Sequence, residues 1–300
     1  MSLSLSSFLP AVDRRLKSMR AACGLRTCQN TQLMRMIPGA RQGITVGPVW
    51  YCSVDCFAIA AQAPLRALAR ERVIEIPRSP RFSLGLALLS KGILTAEQLR
   101  VAGARSRWLE EELEVTLVKL GMATEKQLAS ARSMQWGYPV LAPEYIGQMV
   151  EADIPRTVMV ACGVVPLHYS AAARRILLGF ASRVEHRVLE SIGQITGARI
   201  EPCFITPTDL EEQMKRVTAP PDYEEVVVDD LGSPEKMART VGRVAVGVGA
   251  FAAGFNQCRS MVVARLVGKR GKADVVFHMS SANAERLAEN SASREETIAV

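Results

Sequence analysis

The chain has 300 residues, 48% of them hydrophobic, and a formal net charge of +7, which is room for two or three domains of ordinary soluble composition. No run reaches the roughly 18 apolar residues of a membrane-spanning helix. The amino end, MSLSLSSFLPAVDRRLK, puts its basic residues after its apolar ones, the reverse of a secretory signal, so a cytoplasmic protein with no membrane span is expected.

Residues 1–80 carry eleven Lys/Arg against Asp13, Asp55, Glu71 and Glu75, so the whole charge excess sits there. A basic segment of this kind meets nucleic acid, anionic lipid or an acidic partner, or it solubilises a helical surface. Residues 1–22 are expected to be a flexible N-terminus.

A small module follows at 23–75. Cys23-x4-Cys28 and Cys52-x3-Cys56 flank ITVGPVWY (44–51), where β-branched and aromatic runs around Gly-Pro predict a hairpin. DCFAIAAQAPLRALARERV then has helical composition, with Cys52 and Cys56 on one face of the helix they begin. Two close pairs separated by a hairpin supply the four thiolates of a tetrahedral zinc ion. The positive end of the helix favours thiolates there, and a module of about 50 residues gains from a metal staple. A four-cysteine zinc-ribbon or treble-clef-like module with a closed, structural site is expected. The same spacing is compatible with unligated reduced cysteines or with a redox role. An odd total of seven cysteines and a reducing compartment argue against disulfides. Cys162, Cys203 and Cys258 stand among apolar neighbours and read as small core residues.

IPRSPR (76–81) is a proline-punctuated linker. Beyond it LGLALLSKGILTAEQL (84–99) returns 29 positions later as LEVTLVKLGMATEKQL (113–128). Each copy places leucines at i and i+4 in a short helix and stops it at Gly92 or Gly121, as a left-handed cap requires. Each then opens a second helix with TAEQ or TEKQ, a capping-box pattern. Neither copy alone buries both apolar stripes, so the two are expected to pack as one four-helix unit over 81–142.

Residues 143–217 change to an α/β pattern: a helix near 154–162, strands GVVPLHY and RRILLGFA, helix VEHRVLESIGQIT, strand RIEPCFI and helix PTDLEEQMKRV. Residues 218–235 are acidic and proline-bearing and read as a linker. A helix over 236–256, including VAVGVGAFAAGF, precedes strands RSMVVARLV and ADVVFHM, so 236–279 reads as a helix plus a β-hairpin. Residues 280–300 read as a disordered tail. The expected fold class is α+β.

No catalytic constellation emerges. G-x-x-x-x-G-K-[ST] is absent; GKR (268–270) and GKA (271–273) lack the first glycine and the hydroxyl. GVGAFAAG (247–254) has the wrong spacing for a dinucleotide loop, and its small residues read as permitting close helix packing. His168, His186 and His278 stand apart from any nucleophile or carboxylate pattern. The chain is therefore expected not to be an enzyme.

The doubled motif, with QWGYP (135–139) and VVPL (164–167) behind it, resembles the N-terminal domain of type II secretion system E proteins and type IV pilus assembly ATPases over roughly residues 81–215. The motor of that family is missing. The resemblance implies a regulatory or adaptor protein that docks a protein component of a secretion or pilus machine. Some members of the family bind cyclic di-GMP through the doubled motif, and the matching positions here are Leu84, Gly85 and Gln135. Ser83 stands where those members have arginine, Ser106 replaces the first closing glutamine, and Glu114 replaces the second glycine, where a carboxylate repels a diphosphate. The leading expectation is thus a non-enzymatic adaptor. The alternatives are a cyclic di-GMP receptor and a zinc-dependent nucleic-acid-binding protein, the last disfavoured by few aromatics and no reading helix.

Overall fold

A computed structural model describes residues 20–33, 43–70, 82–141, 146, 150–229 and 232–279. The expected flexible stretch 1–19, the linker 76–81 and the tail 280–300 lie outside the described residues. The chain divides into two units, Ile74–Pro220 and a second made from Met1–Val73 with Pro221–Val300. The secondary structure is mixed α and β, as expected.

The discontinuous unit opens with strands β1 (Arg20–Ala22) and β2 (Thr31–Leu33), which pair antiparallel. Residues 20–22 are therefore a strand, not part of a flexible end. The predicted hairpin is present as β3 (Ile44–Val46) and β4 (Val49–Tyr51), turning at Gly47 with φ +56°. Helix α1 (Val54–Arg70) follows.

Three expectations for the carboxyl half are corrected. The segment 218–235 is not simply a linker, because it contains strand β8 (Tyr223–Val228). The helix expected over 236–256 ends early: α9 (Pro234–Val248) stops at the left-handed cap Gly249, and β9 (Ala250–Cys258) follows. The expected hairpin is thus a meander of β9, β10 (Met261–Gly268) and β11 (Gly271–His278). Nor are residues 23–75 and 236–279 separate modules. Their strands share one sheet in the order β4-β3-β9-β10-β11-β8, joined where β3 runs parallel to β9 through Thr45–Ala252 and Val46–Ala253.

One hydrophobic core explains the union. Phe57, Ala61 and Leu65 of α1, Met237 and Val241 of α9, and Val262, Leu266, Val275 and Phe277 of the strands are all buried together. Segments of this size make only marginal cores alone, and pooling them buries more apolar surface. The two helices approach closely at Gly242, where a Cβ would meet that of Ala58 at 3.3 Å. The small residues of 247–254 do not serve that purpose: a Cβ at Gly247 or Gly254 meets nothing within 4 Å. Acidic β8 holds its place because Val226 and Val228 pack on this core, while Tyr223 donates its hydroxyl to Asp274 at 2.7 Å. Asp274 is in turn ion-paired to Arg265 across the β10–β11 register.

The other unit begins with the two repeats. Helices α2 (Leu84–Ser90) and α3 (Ala96–Leu109) form the first copy, α4 (Leu113–Lys119) and α5 (Glu125–Trp136) the second. Both capping boxes exist, Thr95 with Gln98 and Thr124 with Gln127. Both stop glycines are left-handed, Gly92 at φ +66° and Gly121 at φ +64°. The copies bury one another: α2 packs on α5 and α3 on α4, around Leu88, Ala102, Leu117, Leu128 and Ala131. The α/β part carries α6 (Arg156–Cys162), α7 (His186–Thr196) and α8 (Pro207–Arg216) with the sheet β5-β6-β7 (Val164–Ser170, Arg175–Phe180, Arg199–Phe204). Among the described residues no helix is long and apolar enough to cross a membrane.

Candidate functional site

The four predicted cysteines converge. Cys23 and Cys28 sit on a tight knuckle between β1 and β2, where the Cys23 N–H donates to the Asn30 carbonyl at 2.9 Å and the Cys28 N–H to the Leu25 carbonyl at 2.9 Å. Cys52 ends the β3–β4 hairpin, and Cys56 lies in the first turn of α1. Knuckle, hairpin and helix start are the treble-clef arrangement. Gly24 lets the knuckle touch the hairpin: its N–H donates to the Trp50 carbonyl at 2.8 Å, and a Cβ there would sit 2.2 Å from Val49 Cγ1. Ser53 starts α1, its Oγ accepting from the Cys56 N–H at 3.2 Å.

All four Sγ atoms lie within 4.8 Å of one another, with Cys28–Cys52 at 3.6 Å and Cys52–Cys56 at 3.7 Å. A bonded disulfide would bring two sulfurs to about 2 Å; four thiolates about 2.3 Å from a central ion stand about 3.8 Å apart as tetrahedron edges. The Cys28–Cys52 and Cys52–Cys56 spacings match the second. The donor set suits a soft, tetrahedral ion and leaves no open coordination position.

The helix end does not by itself turn these thiols into thiolates, contrary to expectation. Burial, then the neighbouring Cys28, Cys56 and Cys23, push Cys52 up to about 12. Cys56 is also raised: the Ser53 hydrogen bond lowers it, but burial and the Cys28 and Cys23 thiols outweigh that. Burial opposes ionisation of Cys23 as well, yet backbone hydrogen bonds from Cys52 and Leu25 bring its pKa below the ordinary value. Close thiols cannot all ionise without a cation among them, and a bound metal reverses that logic.

Among the other cysteines, Cys162, Cys203 and Cys258 are buried as core residues, and burial pushes Cys203 up to about 12.

The positions matched to a cyclic dinucleotide are differently engaged. Leu84 is half-buried at the start of α2. Gly85 is buried, and a Cβ there would lie 2.9 Å from Leu99 Cδ2. Gln135 is buried too and donates Nε2 to the Phe82 carbonyl at 2.8 Å. Its counterpart 29 residues earlier, Ser106, donates Oγ to the Glu111 carbonyl at 2.6 Å, and Glu111 is the counterpart of Phe82. Each closing side chain thus ties down the start of the other copy. Glu114 does not present a bare carboxylate, since Arg132 grips it with Nε to Oε1 at 3.0 Å and a second, shorter contact. Sequence reading missed Arg132; the signal was available, because its counterpart in the first copy is Gly103 just as that of Glu114 is Gly85.

No family model matches the chain. A curated protein, the type IV pilus assembly ATPase PilB of Thermus thermophilus, is 29% identical over 121 residues, 40% of this chain and 14% of that protein; the chain therefore spans only a small part of that relative's length. A solved structure of MshE with cdg is similar at 20% identity and a TM-score of 0.39, covering 45% of this chain and 99% of that one. The N-terminal domain of XpsE is similar at 18% identity and a TM-score of 0.37, covering 47% and 97%. In sequence, this chain is thus similar to a type IV pilus assembly ATPase over 40% of its length.

Proposed function

We propose that this chain is a non-enzymatic, cytoplasmic adaptor or regulatory protein that docks a component of a secretion or pilus machine. The observation that carries this reading is the sequence similarity to a pilus assembly ATPase, in a chain with a doubled helical motif and no phosphate-binding motor loop in its 300 residues. Affinity capture from the native host tests it: a membrane-embedded secretion or pilus protein should co-purify, and recovery of none counts against docking. Purified protein that hydrolyses ATP or GTP would contradict the non-enzymatic part.

In the same proposal the four cysteines hold one structural zinc ion. Their close spacing and all-thiol donor set support a stabilising role, with zinc supplying the charge that keeps four thiolates together.

Cyclic di-GMP reception is the weaker alternative. Leu84 and Gly85 match the family pattern for it, but the Gln135 amide is committed to Phe82, and Glu114 is paired with Arg132 where that pattern has a glycine. Calorimetry with cyclic di-GMP at micromolar concentration is expected to show no heat. A binding isotherm that disappears in Leu84→Asp would restore the alternative. For the zinc-dependent nucleic-acid reading, affinity that falls steeply with salt is the expected signature.

A further inference from the structure

The second helices of the two repeats share a sequence frame but not an environment. α5 buries Leu128, Ala129, Ala131, Arg132 and Gln135. Its outer side is covered by the α/β part: β7 packs on it, and Glu125 in its first turn accepts the Thr208 N–H at 3.2 Å. α3, the counterpart, has 14 residues and buries Ala102 alone. Where α5 has Ala129 and Trp136, α3 has Arg100 and Arg107.

The uncovered side of α3 is not an ordinary solvated face. Trp108 is 73% exposed, whereas Trp50 is buried. The Arg105 guanidinium lies 5.0 Å over the Trp108 ring. Val101, exposed as well, completes a stripe at i, i+4 and i+7, which is one helix face. Arg105 and Arg107 enter no ion pair among the described residues, while Arg100 is held by Glu97. Of the glutamates past the end of the helix, Glu111 is taken by Lys119 at 2.6 Å.

A ring held by a stacked guanidinium loses little freedom on binding, and Trp and Arg are the residue types that concentrate interface energy. Unpaired cations around an apolar anchor select a partner of opposite sign. The apolar members of the stripe, Val101 and Trp108, favour a protein over a phosphate backbone.

We infer that the open face of α3 is a protein-docking surface, and that its partner presents an acidic surface with an apolar recess for Trp108. This rests on the docking role proposed above and names the surface and the charge of what it meets.

The test uses the full chain and short synthetic peptides in which a leucine is flanked by glutamates, with lysine-substituted controls, phosphatidylglycerol vesicles and a single-stranded oligonucleotide as competing probes. The glutamate peptides should bind, more weakly as salt rises, and lose about tenfold in affinity in Trp108→Ala and again in Arg105→Glu/Arg107→Glu. The lysine peptides should not bind. Equal affinity in the variants, preference for vesicles or oligonucleotide, or no binding by any probe overturns the assignment. Both variants change exposed side chains, and a circular dichroism spectrum confirms that they fold. Capture of a secretion-machine protein that persists unchanged in Trp108→Ala would keep the docking role while rejecting this surface. Failure of capture by the native chain, with peptide binding intact, would do the reverse.

Discussion

Arg132 and Glu114 form a two-pronged ion pair in the second repeat, at the two positions that carry Gly103 and Gly85 in the first. The repeats therefore keep one backbone plan with two side-chain solutions. Burial pushes Arg132 down to about 10, with the Glu112 carboxylate opposing that shift, so the guanidinium is charged at neutral pH. Removing it strands a carboxylate whose side chain is only 23% exposed. Arg132→Met should cost about 2–3 kcal/mol, less than a fully buried pair because Glu114 keeps some water. Adding Glu114→Gly should recover much of the loss. Urea denaturation of the four forms reads the coupling; simple additivity would mean the pair contributes nothing.

The two cross-copy bonds should matter in proportion to burial. Gln135→Ala leaves the Phe82 carbonyl without its donor and is expected to cost about 1–2 kcal/mol. Ser106→Ala, at a less enclosed position, should cost about 1 kcal/mol or less. The two losses should add, because each bond ties a different start point. Thermal unfolding of the single and double variants decides it.

Gly103 sits inside α3 where a Cβ would meet nothing within 4 Å. Helix propensity then acts alone, and Gly103→Ala should stabilise by about 0.5–1 kcal/mol. A loss of stability would show that the space beside Gly103 is used.

Protein purified without added metal should carry about one equivalent of zinc by elemental analysis. Cys56→Ser should abolish it and weaken amide protection across 44–70 and 234–278, the segments that share the core behind the site, while 84–136 stays protected. The pH dependence has a defined sign. The ligands bind as thiolates, and burial with the adjacent thiols pushes Cys52 up to about 12 when the thiols stand alone, so protons compete with metal and affinity falls as pH falls. Metal-free protein with full protection would reject the site.

Local pattern settled a good deal of this molecule. The repeated Thr-x-x-Gln after a glycine names its helix starts and stops because capping is a matter of backbone groups within four residues. The Cys23, Cys28, Cys52 and Cys56 spacing names its cluster because a hairpin returns the chain to its own knuckle. What sequence reading divided wrongly was the unit built from both ends of the chain. β3 meets β9 about 200 residues away, β8 is held by Val226, Val228 and the Tyr223–Asp274 bond, and neither contact leaves a periodic trace in the strand itself. An acidic stretch and an apolar glycine-rich stretch look like linker and helix until a shared core supplies their partners. Tertiary structure alone decides such cases, because the buried core draws on two distant segments at once. It likewise decided that Arg132 would neutralise Glu114 and that α5 would be covered while α3 stayed open, since those depend on which neighbour each repeat meets.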